Sequence, residues 1–197
     1  MKNYWKLLSA ISLCAVTLGW MHGAAAQQLG ADFNGYSVNL FGSMPVSQSP
    51  STQAGAGFIY DGQNAHDHLR FLYANLLATG DLGVPGATAG VGVRGFFADR
   101  THFDGGGVAL GGQVNYYLPR FNRVGVSAEI WYAPGVLAPG DYQRYLQYGA
   151  DLNYRVLRQA TIYAGYRRIQ LPVEGARYNL VAHAPDQGWH IGLRVDF

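Results

Sequence analysis

The closing stretch of the chain, residues 187–197, reads Gln-Gly-Trp-His-Ile-Gly-Leu-Arg-Val-Asp-Phe and constrains the fold more than any other. Side chains alternate across a strand with period two, so Trp189, Ile191, Leu193, Val195 and Phe197 share one face and His190, Gly192, Arg194 and Asp196 the other. An exposed apolar face of this size needs a second apolar layer. Upstream we find no helical pattern or second sheet to supply that layer, so lipid is the medium that satisfies it.

The same alternation recurs along the chain. Leu29, Ala31 and Phe33 oppose Gln28, Gly30 and Asp32; Asn34-Gly35 follows as a favoured two-residue hairpin turn. Tyr36, Val38 and Leu40 come next, then a Pro/Ser-rich connection over 44–52 and a small-residue strand over 54–60. Residues 61–67 read as a polar loop. The apolar segment 68–78 puts Leu69, Phe71 and Tyr73 on one face but Leu76 and Ala78 on the other, and a β-bulge is the simplest account of that switch.

Further strands carry Val91, Val93 and Phe97 against Gly92 and Arg94, and Val114 and Tyr116 against Gln113 and Asn115. Val126 and Ile130 oppose Ser127, Glu129 and Trp131; Leu152 and Tyr154 oppose Asp151, Asn153 and Arg155; Ile162, Ala164 and Tyr166 oppose Tyr163, Gly165 and Arg167. Residues 99–106, 133–141 and 172–186 read as connections. Each strand covers about ten residues, the length of a tilted strand crossing a bilayer. Alternating long and short connections place 61–67, 99–106, 133–141 and 172–186 on one side of a membrane. The expected fold is all-β, a closed antiparallel transmembrane barrel. Ten strands are preferred, with Gln28 to Phe33 pairing across Asn34-Gly35; eight, with the N-terminal segment outside the barrel, is the alternative. A soluble lipocalin-like barrel would show the same periodicity with its faces reversed.

The N-terminus bears on that choice. Lys2 and Lys6, an apolar run over 7–20 and Ala24-Ala25-Ala26 have the order of a secretory signal peptide, expected over 1–26 and removed to leave the barrel at 27–197. A lipoprotein reading through Cys14 is weaker, because Leu13 stands where a small residue is expected. Of 14 basic residues, two leave with the signal, and the other 12 are arginines balanced by 12 acidic residues. No cysteine follows Cys14, so a disulfide framework, a cysteine nucleophile or a cysteine metal site is excluded from the exported part. A basic footprint for nucleic acid is also absent.

A chain ending on phenylalanine after such a strand resembles Gram-negative outer-membrane barrels, whose assembly machinery reads that C-terminal strand; this and the tyrosines near strand ends favour the membrane. Glu129-Ile-Trp-Tyr-Ala-Pro134, Asp141-Tyr142, Gly149-Ala-Asp-Leu-Asn-Tyr154, Ala164-Gly-Tyr-Arg167 and Ile191-Gly-Leu193 together resemble the YfaZ family of small outer-membrane proteins, best over 124–171. The resemblance implies outer-membrane location and a barrel. It brings no activity, so no catalytic residue is carried over.

Chemistry is sparse in the residues themselves. The acidic and histidine residues assigned to connections are Asp61, His66, Asp67, His68, His102, Asp104, His183 and Asp186. Asp and His could make a general base or hold a metal, but solvated loop polarity explains them as well. Neighbours such as His66, Asp67 and His68 point to opposite sides of an extended chain. No serine stands at a spacing that suggests a nucleophile, and neither a cofactor nor a metal is implied. The inward face is more informative. It brings Arg94, Arg155, Arg167 and Arg194 together with Glu129, Asp151 and Asp196, which in so narrow a barrel should pair across strands. The central lumen network is expected to comprise Arg94, Glu129, Asp151, Arg167 and Arg194, with Gln113, Asn115 and Tyr163 as neutral partners and Arg155 and Asp196 near the rim. Breaking a buried pair is expected to cost roughly 3–5 kcal/mol. The expected function is that of a small structural or interaction barrel with a filled polar lumen, contacting outer-membrane lipid and the assembly machinery. A narrow channel and a rim enzyme acting on lipid or peptide are the alternatives.

Overall fold

The computed structural model describes residues 27–48, 51–64, 67–100, 103–140, 142–172 and 186–197; the expected signal segment 1–26 lies outside them. Ten strands follow in order: β1 Gln28–Asn34, β2 Ser37–Gln48, β3 Ser51–Asn64, β4 Asp67–Asp81, β5 Ala87–Arg100, β6 Phe103–Tyr117, β7 Val124–Pro134, β8 Arg144–Leu157, β9 Ala160–Gln170 and β10 Asp186–Asp196. Each pairs antiparallel with its neighbours in sequence, and β1 pairs β10 to close the barrel. Leu29 opposes Gly42 on β2 and Val195 on β10, while Phe33 opposes Val38 and Ile191. The ten-strand count therefore holds, and the N-terminal segment belongs to the wall. Among the described residues no helix is long and apolar enough to cross a membrane.

The alternation expected from the sequence fixes the two faces. Val91, Val126, Ile130, Leu152, Ile162, Ile191 and Leu193 stand outward and exposed, whereas their polar neighbours point into the lumen. In β10, exposed Trp189, Ile191 and Leu193 flank buried His190 and Gly192, and exposed Phe197 follows the strand. Gln27 and Phe197 lie together at one end, here the lower, where connections of two to six residues join β2 to β3, β4 to β5, β6 to β7 and β8 to β9.

Several local expectations are corrected. Residues 44–52, read as a connection, mostly extend β2 and β3, with Pro45 opposite Gln53 and a register shift just after it. Proline lacks the ladder N–H and is accommodated at such an irregularity. Segment 68–78 carries no bulge: β4 pairs β3 in unbroken register from Leu69 to Ala78, with Leu69, Phe71 and Leu77 buried and Leu72 and Leu76 exposed. Both faces are apolar there because the upper lumen is itself apolar. At the upper end β3 and β4 run on to Asn64 and from Asp67, and β5 and β6 to Arg100 and from Phe103, so the polar loops expected over 61–67 and 99–106 are largely strand. Between β7 and β8 a short 3-10 turn, Gly135–Leu137, folds over the upper edge of β6, where Gly140 bridges Gly105 and Gly106 N–H donates to Pro139 O at 3.3 Å. Ala138 and Tyr142 are buried there.

Candidate functional site in the barrel lumen

The upper lumen is packed with aromatic side chains from strands distant in sequence. Phe96 stacks on Tyr145 with centroids 4.4 Å apart, and Phe71 stacks on both at 5.9 and 5.6 Å. Phe71, Trp131 and Tyr145 are fully buried, as are Ile59 and Ile169. Beneath this layer lies Arg94, 3% exposed, its guanidinium 4.0 Å from the Trp131 ring centre and 4.6 Å from that of Tyr73. A guanidinium is flat and weakly hydrated, so aromatic faces can sandwich it while its edge donates hydrogen bonds. Arg94 Nη2 donates to Glu129 Oε2 at 3.3 Å and Nη1 to Tyr145 Oη at 3.4 Å. Glu129 also accepts from Trp131 Nε1 at 3.1 Å and Gln147 Nε2 at 2.6 Å, and Tyr145 Oη donates to Gln147 Oε1 at 2.6 Å.

A second cluster spans the closure of the barrel. Arg167 on β9 donates through both Nη atoms to Asp32 on β1, at 2.9 and 3.1 Å, and through Nε to Asp186 on β10 at 2.6 Å. All three residues are buried. Asp32 further accepts from Asn39 Nδ2 at 2.8 Å and Tyr163 Oη at 3.1 Å; Asp186 accepts from Ser37 Oγ at 2.8 Å and Asn34 Nδ2 at 3.1 Å. Asp32 thus receives four donors and Asp186 three, with every carboxylate oxygen accepting at least one, as a buried charge requires.

Between the clusters, Asp151 accepts from Ser127 Oγ at 3.3 Å and faces His190 Nε2 at 2.9 Å. Serine, aspartate and histidine are together, but in an order that does not serve nucleophilic catalysis. A nucleophile needs its base on the hydroxyl, with the carboxylate behind the base. Here the carboxylate stands between them, and Ser127 Oγ instead accepts from Asn153 Nδ2 at 3.0 Å.

Below these groups is a cavity of about 610 Å³. Arg94, Glu129, Asp32, Arg167 and His190 border it above, and Gln28, Ser51, Asp81 and Asp196 lie along it at the lower rim. Its wall is polar, with Gln113, Asn115, Arg155 and Arg194 among the lining residues.

The residues expected to form one network therefore fall into three groups, with Asp151 and Arg194 joined through Ser127 and Asn153. Arg94 and Glu129 pair; Arg167 turns away from them to Asp32 and Asp186; Asp151 takes His190; and Arg194 reaches Asn153 Oδ1 at 3.4 Å. Tyr163 does serve a carboxylate, but that of Asp32. The sequence reading missed Asp32 and His190, although it placed both on the inward face, because it counted neither among the charges. It missed Asp186 by placing it in a connection. Of the other residues assigned to connections, Asp61 is buried on β3, Asp104 is exposed on β6, and His68 stands on the outer surface beside Tyr60, with Oη to Nδ1 at 3.4 Å. Asp67 opens β4, while His66, His102 and His183 lie outside the described residues. Among the described residues no group of three or more His, Cys, Asp or Glu side chains is arranged to hold a metal ion.

A closed ten-strand antiparallel barrel with an apolar exterior and ionised interior defines the class, a transmembrane β-barrel of the outer-membrane type. The chain belongs to the YfaZ family, whose model, described as YfaZ precursor, matches residues 6–197. It is 31% identical over 111 residues to Outer membrane protein YfaZ of Escherichia coli (strain K12), a match covering 55% of this chain and 58% of that protein. The protein is accordingly located in the outer membrane, and the family's description as a precursor fits an exported chain. A solved structure described as "Unveiling the Mechanism Behind the in-meso Crystallization of Membrane Proteins" is similar over 88% of this chain and 83% of its own, at 13% identity and a TM-score of 0.41, a likeness too loose to carry an argument.

Proposed function

We propose that this protein is a small outer-membrane barrel closed in its upper half by its own side chains, with a structural or interaction role, and that it does not act as an open channel. In such barrels the termini and short turns face the periplasm, so the lower cavity is periplasmic and the packed aromatic layer lies toward the cell exterior. The stacked Phe71, Phe96 and Tyr145, sealed below by the Arg94 sandwich, carry this reading. The inward-folded β7–β8 connection adds to it. An ion crossing the lumen would have to displace fully buried rings that are packed against one another. No enzymatic role is part of the reading, and the geometry around Ser127 favours none.

The outward apolar residues are proposed to meet lipid, and the strand ending at exposed Phe197 to be recognised by the assembly machinery; Phe197→Ala should lower the amount of folded barrel in the outer membrane, and unchanged insertion would remove that partner. For the closed lumen the test is conductance of the refolded protein in planar bilayers. We expect none above background. Steady single-channel currents from the unmodified chain would replace this reading with the narrow channel.

A further inference from the structure

Within the lower cavity the charges are not all paired. Asp32 and Glu129 are taken up by arginines, Asp151 meets His190 Nε2 at 2.9 Å, and at the lower rim Asp196 accepts from Gln28 Nε2 at 2.7 Å while Asp81 also lines the cavity. Arg155 and Arg194 also line the cavity, yet among the described residues neither has a carboxylate within ion-pair distance. They share one rung of the sheet: Arg155 on β8 opposes Thr161 on β9, which opposes Arg194 on β10. All three side chains face the lumen, and the two arginine backbones are separated by two strand spacings, about 10 Å. Two uncompensated guanidiniums flanking a hydroxyl on one wall of a cavity form an arrangement that an anion stabilises.

How the arginines are held points the same way. Arg155 lies over the Tyr117 ring at 4.7 Å and Arg194 beside that of Tyr163 at 5.7 Å. Each ring lies down over a glycine on the adjoining strand. A Cβ on Gly125 would strike Tyr117, and one on Gly192 would strike Tyr163. Ring contact uses the face of a guanidinium and leaves its in-plane N–H donors available, apart from the one that Arg194 gives to Asn153. Further arginines stand on the turns beyond Arg155, on the opposite side of the mouth from Asp81. Arg120 and Arg123 in the β6–β7 turn and Arg158 in the β8–β9 turn are exposed, and the turns adjoin, Arg155 N–H donating to Arg123 O at 2.7 Å. The β4–β5 turn, residues 82–86, contains no basic residue.

We propose that Arg155 and Arg194, with Thr161 between them, form a binding site for a phosphate-bearing anion that enters the lower cavity from the periplasm. Paired guanidiniums match the geometry and charge of a phosphoryl group, and a hydroxyl supplies a further donor. The exposed turn arginines steer such an anion toward the mouth, an effect that salt weakens. A cavity of about 610 Å³ falls in the range that encloses small organic ligands. The site is reached from below, so it does not depend on whether the upper lumen conducts.

The test is isothermal titration of inorganic phosphate into the full barrel in a phosphorus-free maltoside detergent at low salt. We expect one saturable site, weakened roughly tenfold by Arg155→Gln or Arg194→Gln and abolished by the double change. Arg158→Gln, on the exposed turn, is expected to leave equilibrium affinity within about twofold, because its charge is solvated. Heat-modifiable electrophoretic mobility reports that each variant is folded. If a glutamine variant does not fold, Thr161→Val, with both arginines kept, should still weaken binding about threefold. Repeating the titration in phosphatidylglycerol nanodiscs distinguishes the sources of the anion. Lost phosphate binding there assigns the site to a lipid headgroup, and retained binding assigns it to a soluble phosphorylated solute. Absence of saturable binding in maltoside, binding that survives the double change, or equal loss in Arg158→Gln would overturn the proposal.

Discussion

Arg94 and Arg167 are both buried guanidiniums in one narrow lumen, and the barrel compensates them in different ways. Arg167 meets two carboxylates, Asp32 and Asp186, from the two strands joined at the barrel's closure. Arg94 meets one, Glu129, and lies between the rings of Trp131 and Tyr73. Asp32 and Asp186 are inaccessible, whereas the Glu129 side chain is 29% exposed toward the cavity. The first cluster is a tie between chain ends, 135 residues apart between Asp32 and Arg167. The second is a polar edge on an aromatic layer. Closing a barrel brings remote strands together at an entropic cost, and fully desolvated ion pairs are placed where that register must be fixed.

The comparison is broken most sharply at Asp32. Asp32→Ala removes both bonds to the Arg167 Nη atoms and the acceptor for Asn39 and Tyr163. It leaves a buried guanidinium under-compensated, so stability should fall by about 3–5 kcal/mol, read as a lower urea midpoint for unfolding from micelles. A loss below about 1 kcal/mol would mean that Asp186 alone suffices, and that the closure tie is not a unit.

The outward side of the strand carrying Arg167 supplies the next effect. Ile162 is exposed on β9 and flanked by inward Thr161 and Tyr163. Ile162→Arg places on the lipid face a charge that the lumen five residues later accommodates, at a cost of about 2–4 kcal/mol near the midplane. Folding into bilayers at unchanged yield and stability would contradict the assignment of faces.

Glu129→Ala should cost less, about 1.5–3 kcal/mol, because Arg94 keeps both rings and Tyr145, and water from the cavity can approach the vacated position. This is smaller than the roughly 3–5 kcal/mol expected for breaking a buried pair in the lumen. If Glu129→Ala proves as costly as Asp32→Ala in the same unfolding assay, the aromatic sandwich contributes little and the two clusters are equivalent.

These clusters show where sequence reasoning reached and where it stopped. Period-two alternation assigns the inward face of Asp32, Arg94, Glu129, Asp151, Arg167 and Arg194 but not of Asp186, because the pleat is a local property of the chain. It does not assign partners, since those depend on register between strands and on the tilt of the barrel. Arg167 could thus be placed in the lumen but not on Asp32. Alternation also presumes one polar face, and β4 breaks that assumption. Phe71 and Leu69 line an apolar upper lumen while Leu72 and Leu76 face outward, so above Asn75 polarity does not mark the inward side of the strand. Asp186 follows a segment without alternation, and nothing local marks it as the first inward residue of β10. The family motifs helped with class and location, and they carried no information on which charges touch.

The smallest effect concerns a pair that looks alike on paper. Arg70 and Asp99 stand on adjacent strands β4 and β5 with a separation of 3.7 Å, but their side chains are 54% and 48% exposed on the outer surface. Each charge keeps much of its hydration in the folded barrel, and a long arginine side chain loses freedom when held in one geometry. The net contribution of such a pair is about 0–1 kcal/mol. Arg70→Ala should therefore shift the urea midpoint barely, and less again at high salt. Placed beside Asp32→Ala in the same assay, it separates the contribution of burial from that of the ion pair itself. The donor and acceptor types are the same in both, and Arg167 differs in being desolvated, bidentate and joined to a second carboxylate. A loss for Arg70→Ala as large as that for Asp32→Ala would show that pairing across adjacent strands, rather than desolvation at the closure, sets the energy.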